Sequence, residues 1–162
     1  MGTGDSCQSP RLLTFGVPVQ STTTGRPNGF GIAQTNGCRA TQGSGDVVYR
    51  VDVPPGAAAV VTATGTWDIV MNVVQSPATN CGTQLGGQTQ NITCVAAADA
   101  LASGNETVTL TNATSNPVTY FVILDGYQTN QAGTFTLSAE LYVRPAGPTE
   151  IEPNDTRVLA DA

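Results

Sequence analysis

The sequence predicts an all-β fold, an antiparallel β-sandwich of jelly-roll type with seven to eight strands. Three observations predict it. Short segments alternate apolar and polar residues with the period of two that a half-buried strand requires. Gly, Pro, Asn and Asp clusters punctuate them as turns. No segment carries a convincing amphipathic helix.

The elements follow in order. Residues 12–17 form the first strand-like run. Val47, Tyr49, Val51 and Val53 fall on one face of a strand, with Arg50 and Asp52 on the other. Pro54, Pro55 and Gly56 end it in a turn. Strands over residues 58–64 and 68–75 follow, split by Gly65, Thr66 and Trp67. Over residues 106–111, Val108 and Leu110 point inward and Thr107, Thr109 and Thr111 outward. Residues 118–124 are nearly all apolar, as in a central strand, and Asp125-Gly126 is a turn signal. Residues 134–142 close the set with Phe135, Leu137, Ala139 and Leu141 on one face. The best helical candidate, residues 95–102, is stopped by Ser103-Gly104-Asn105. One core is expected from Tyr49, Val51, Val70, Val108, Leu110, Val122, Leu124, Phe135 and Leu137. Two long loops, residues 21–45 and 76–91, serve binding or are stapled.

The organisation expected is a sandwich over residues 1–143, a Pro/Gly linker over 144–149, and over 150–162 the start of a next module or an acidic linker. At 162 residues the chain can bury a real core. It carries a net charge of −6 and no lysine, and its arginines are scattered in sequence, which disfavours nucleic acid and anionic membranes as partners. The apolar runs are too short to span a bilayer.

None of the four cysteines has the short spacing of a zinc or redox site, and there is no histidine. An even count at wide spacing reads as two disulfides and an oxidising compartment, against four reduced buried thiols in a cytosolic protein. Of three connectivities, Cys7–Cys38 and Cys81–Cys94 are favoured, because each pair flanks a Gly/Gln/Asn/Thr-rich loop.

Several runs together carry a resemblance. Residues 45–56, Gly-Asp-Val-Val-Tyr-Arg-Val-Asp-Val-Pro-Pro-Gly, resemble the G-D-x-x-Y-x-F-x-x-P-x-G strand and turn of bacterial pre-peptidase C-terminal domains. Residues 67–73, starting at Trp67-Asp68, resemble their W-D-x-x-L-x-L strand. Residues 120–127, ending in Asp125-Gly126-Tyr127, resemble their Y-Y-V-x-V-D-G-Y segment, and residues 133–137 their closing G-x-F-x-L strand. The match spans roughly residues 5–141. The resemblance implies a non-catalytic jelly-roll module appended to secreted bacterial hydrolases or surface proteins, assisting secretion or stability or binding polymers. The related collagen-binding domains of clostridial collagenases hold calcium through an E-x-E-x-N-D linker. Glu150, Glu152, Asn154 and Asp155 show that spacing. In the family this motif precedes the sandwich it serves, so here it belongs with a following module.

The chemistry of that segment agrees. Calcium takes about six to eight oxygen ligands. In an extended strand Glu150 and Glu152 project together, Pro153 restrains the backbone, Asn154 adds a neutral oxygen and Asp155 another charge. The plain alternative is a helix N-cap at Asn154 or Asp155, or a solvated linker.

Catalysis is not expected. Without histidine there is no Ser-His-Asp or Cys-His arrangement. Asp46, Asp68, Asp99, Glu106 and Asp125 could supply a carboxylate pair, but all sit where Asp is ordinary turn chemistry. Gly43-Ser44-Gly45 lacks the lysine of a phosphate loop. Trp67 and Tyr127, with Phe30 and Tyr142, are candidates for an aromatic binding platform, although a lone Trp beside a strand is more often core. The function expected is a secreted or cell-surface module whose partner is an extracellular polymer, a protein ligand or a neighbouring module. A structural repeat of a surface or adhesive protein is the alternative.

Overall fold

The computed structural model describes residues 3–100 and 105–143. It is a two-layer β-sandwich without an α-helix among those residues. The strands are β1 (Arg11–Leu12), β2 (Val19–Thr22), β3 (Val47–Val53), β4 (Ala57–Gly65), β5 (Ile69–Gln75), β6 (Thr83–Leu85), β7 (Gln88–Gln90), β8 (Ala96–Ala98), β9 (Asn105–Thr111), β10 (Val118–Gly126) and β11 (Thr134–Val143). One sheet has five strands in the order β1-β3-β10-β5-β8, the other four in the order β2-β11-β4-β9, and β6-β7 is a separate hairpin. The long strands β3, β4, β5, β9, β10 and β11 alternate between the two sheets in chain order. Every pairing is antiparallel except β1 with β3.

Alternation decides which side chains meet between the sheets. Val47, Tyr49, Val51 and Val53 of β3 pack with Ile69, Met71 and Val73 of β5 and Tyr120, Val122 and Leu124 of β10. The other sheet contributes Ala59, Val61, Val108, Leu110, Phe135, Leu137 and Ala139. Across the two sheets the ring of Tyr49 meets that of Phe135 edge-on at 6.3 Å between centroids.

Several elements differ from expectation. Val70 is buried but lies on the opposite face of β5 from Ile69, Met71 and Val73, outside the inter-sheet core. A fully apolar run such as Ile69-Val70-Met71 has no periodicity to show its inward side. The helical candidate contains β8, which pairs with β5. The first strand expected over residues 12–17 forms only at Leu12, in β1, which pairs with β3; the next strand, β2, starts after it at Val19 and pairs with β11 in the other sheet.

The long loops form a third layer. Residues 24–45 and 76–95 fold over the outer face of the five-stranded sheet and bury Phe30, Ile32 and Ile92 against Val48, Val74, Phe121 and Ile123. This overturns the expected cysteine pairing. The disulfides are Cys7–Cys81 and Cys38–Cys94, with Cα separations of 6.5 and 5.0 Å. Cys38–Cys94 stitches one loop to the other, and Cys7–Cys81 ties the segment before β1 to the second loop, because these segments pack against each other rather than closing on themselves. The N–H of Thr89 donates to the carbonyl of Gly31, and that of Cys94 to Asn36. Asn72 of β5 anchors the layer from below: its side chain accepts from the N–H of Arg39 at 2.8 Å and donates to the carbonyl of Arg39 at 3.0 Å.

Candidate functional site

Among the described residues, one closed place and one open cleft gather chemically active side chains. The closed one lies beneath the loop layer. Leu124 of β10 pairs with Val47 of β3, so the next residues outward, Asp125 and Asp46, stand opposite each other. Both are fully buried. Oδ2 of Asp46 accepts the N–H groups of Gly29 and Phe30 at 2.6 and 2.7 Å. Oδ1 of Asp125 accepts from Ser44 Oγ at 2.7 Å and from the N–H of Gly126. The second oxygen of each carboxyl has no hydrogen-bond partner among the described residues. Burial first, then the facing Asp125 charge and that of Asp5, push Asp46 up to about 7. Burial pushes Asp125 up to about 6 against its hydrogen bonds from Ser44, Thr41 and Gly126. Sealed from solvent, this pair clamps the loop layer and meets no substrate.

The open place is a cleft of about 810 Å³ where β2, β11 and β4 end beside the loop after β2. Thr64, Thr66, Thr134 and Thr136 line it, and their hydroxyls make no hydrogen bond within the described residues. Their positions follow from register: Thr136 lies between Thr64 of β4 and Gln20 of β2, and Thr134 beside Thr22. Arg11 and Arg26 supply the charge. Arg11 reaches over from β1, its Nη1 donating to Ser21 Oγ at 3.1 Å and its Nε to the carbonyl of Thr3. Nε of Arg26 donates to the carbonyl of Thr22 at 2.9 Å, and its Nη1 lies 3.4 Å from Asp5. No carboxylate among the described residues lines the cleft. The arrangement presents two braced guanidinium groups beside free hydroxyls, along an edge strand of the four-stranded sheet.

The residues singled out from sequence fall elsewhere. Trp67 is a core residue whose Nε1 donates to the carbonyl of Thr134 at 2.9 Å. Tyr127 is partly exposed, its N–H donating to the carbonyl of Asp68. Phe30 belongs to the loop layer, and Tyr142 lies at the other end of β11 from Thr134, so the four aromatics form no shared face. Asp68, Asp99 and Glu106 are within electrostatic reach of one another. Burial raises Glu106, whose two oxygens accept the N–H of Ala100. Among the described residues no group of three or more His, Cys, Asp or Glu side chains could hold a metal. The candidate calcium residues Glu150, Glu152, Asn154 and Asp155, with the linker, lie outside the described residues. Reading the arginines as scattered missed the cleft: Arg11 on β1 and Arg26 in the loop after β2 both line it, although β1 and β2 belong to different sheets.

No protein-family model and no curated protein matches the chain. Its structure is similar to the pre-peptidase C-terminal domain of a collagenase from Bacillus anthracis, at 13% identity and a TM-score of 0.48, covering 81% of this chain and 94% of that one. It is also similar to PliG from Aeromonas hydrophila, a periplasmic inhibitor of g-type lysozyme, at 12% identity and a TM-score of 0.47, covering 82% and 95%.

Proposed function

We propose that the chain is a non-catalytic extracellular binding module, an accessory part of a secreted bacterial hydrolase. The observation that carries this reading is the contrast between its two acidic and basic sites. The carboxylates best able to do acid–base chemistry are entombed under a disulfide-stitched layer, while the open cleft offers only hydrogen-bond donors, hydroxyls and positive charge. Such a cleft recognises and orients a ligand and has no group to transform it. Two disulfides support an oxidising environment. No helix of the described residues is long and apolar enough to cross a membrane.

In this reading Glu150, Glu152, Asn154 and Asp155 form a calcium site at the junction with a neighbouring module; three carboxylates and an amide are the hard oxygen donors that calcium takes. A binding screen of the purified protein against immobilised glycans and matrix proteins tests the module reading. Saturable capture of one polymer class, without turnover, is expected. Product release from any captured polymer would overturn it.

A further inference from the structure

We propose that the cleft between β2, β11 and β4 binds an acidic saccharide, a glycan containing uronic acid, with its carboxylate on Arg11 and Arg26 and its ring hydroxyls on the threonines. The inference rests on the binding-module reading and gives it a ligand class.

Charge comes first. In a chain of net charge −6, two cations line one cleft that no carboxylate of the described residues lines, and of the two only Arg26 is ion-paired, with Asp5 at 3.4 Å from its Nη1. Arg50 is neutralised by Asp52 at 3.1 Å, and Arg39 is within electrostatic reach of Asp99. Arg11 has no acidic partner among the described residues. A guanidinium has five N–H donors. Arg11 gives one to Thr3 and one to Ser21, which leaves three. Arg26 gives one to Thr22 and one to Asp5, which leaves three more. The groups are held by those bonds, so little side-chain freedom is lost when an anion arrives. A carboxylate matches the planar fork of a guanidinium.

The hydroxyls then separate a saccharide from an acidic peptide. A peptide carboxylate needs donors only. Thr64, Thr66, Thr134 and Thr136 each offer a group that both donates and accepts, spaced across adjacent strands. Vicinal sugar hydroxyls pair with groups of that kind. The threonine methyls provide small apolar contacts for the C–H faces of a ring.

Calorimetric titration at low ionic strength with tetragalacturonate, a neutral cellotetraose and a tetraglutamate peptide tests the proposal. Tetragalacturonate should bind at least tenfold more tightly than either of the others. Arg11→Gln removes the charge, and Thr136→Val removes one hydroxyl at nearly constant shape. Each should weaken tetragalacturonate at least fivefold while the melting temperature stays within about 2 °C of the parent. Equal binding of cellotetraose would show that charge plays no part, and equal binding of tetraglutamate would assign the cleft to acidic peptides; either overturns the proposal. So does absent tetragalacturonate binding, or affinity unchanged in both variants. If the screen captures another polymer while tetragalacturonate fails, this inference falls and the module reading stands. If nothing is captured anywhere, both fall.

Discussion

Asp46 and Asp125 face each other across β3 and β10, one step beyond the Val47–Leu124 pair, and both are fully buried. Side chains directly opposite on one sheet face have Cβ atoms about 5 Å apart, where like charges repel. Asp5 adds negative charge on the Asp46 side, itself paired with Arg26. The pair organises the loop layer: Asp46 gathers the N–H groups of Gly29 and Phe30, and Asp125 gathers Ser44 and Gly126.

Stability should therefore fall as pH rises through neutrality. Folding raises Asp46 to about 7 and Asp125 to about 6, above their unfolded values. Between about pH 4 and pH 7 the folded protein holds more protons than the unfolded chain, so this contribution is full below pH 4 and is lost as pH approaches 7. Each proton held only by the folded state gives a slope of about 1.4 kcal/mol per pH unit. The upward shifts of Asp99 and Glu106 act with the same sign. Denaturant unfolding at pH 4.5, 6 and 8 should show stability declining across the series, and a rising profile would refute the assignment.

Asp125→Asn isolates the pair. The amide oxygen can still accept from Ser44 and Gly126, while the amide nitrogen replaces the carboxyl oxygen that has no partner. With the facing charge gone, Asp46 loses one of the causes that raise it. The variant should gain about 1–2 kcal/mol at pH 8, and its pH profile should be flatter than the parent's. Parallel profiles for the two proteins would mean that the carboxyls do not interact.

The disulfides carry a second prediction. They join residues 74 and 56 positions apart, and chain-entropy reasoning gives about 4 kcal/mol for closing loops of that length. Peptide mapping without reduction should recover Cys7 with Cys81 and Cys38 with Cys94. Replacing Cys38 and Cys94 by alanine should cost about 2–5 kcal/mol and expose the loop layer's apolar residues to a hydrophobic dye. A Cys7–Cys38 peptide would contradict the cross-loop architecture.

Tyr49→Phe should be neutral or stabilising, by up to about 1 kcal/mol. The hydroxyl is buried without a hydrogen-bond partner among the described residues, and the ring's edge contact with Phe135 survives its removal. A loss above about 1 kcal/mol would reveal a partner for that hydroxyl.

What was legible in the sequence is what local periodicity encodes. Val108 and Leu110 alternate cleanly with threonines because one face of β9 meets the core and the other meets water. The five-stranded sheet is covered on both faces, so alternation fades there, and Val70 is placed on the wrong side by its sequence. The loop layer was harder still. A loop's sequence reports that it lacks regular structure, while its partner is fixed by tertiary packing; Cys7 lies nearer in sequence to Cys38 than to Cys81, which the sheet beneath the two loops brings alongside. The arginine cleft has the same character, since β1 and β2 are adjacent in the chain but belong to different sheets. Asp46 and Asp125 were visible individually as turn-like aspartates. Their opposition follows only from the β3–β10 register.

Trp67 gives the last prediction, and it separates an anchoring role from a ligand-binding one. As the single tryptophan of the chain it reports its own surroundings by fluorescence. Its ring packs beside Gly133 and Gly65, and its Nε1 bond to Thr134 fixes the start of β11. A Cβ at Gly133 would lie 2.5 Å from the ring, so Gly133→Ala must displace the indole. Overpacking of this kind typically costs about 1–3 kcal/mol, and the emission should shift to the red as the ring gains water. Trp67→Phe keeps much of the apolar contact and loses the bond to Thr134, a cost of about 1 kcal/mol. Trp67→Ala should cost about 3–5 kcal/mol through the cavity it leaves. Ligand affinity measured well below each variant's melting temperature should follow the disturbance of Thr134, which lines the arginine cleft, and not the mere loss of an aromatic ring. Gly133→Ala should therefore weaken binding although it retains the tryptophan. If Trp67→Phe and Trp67→Ala abolish binding without loss of stability while Gly133→Ala leaves it intact, the indole touches the ligand and the anchoring account is wrong.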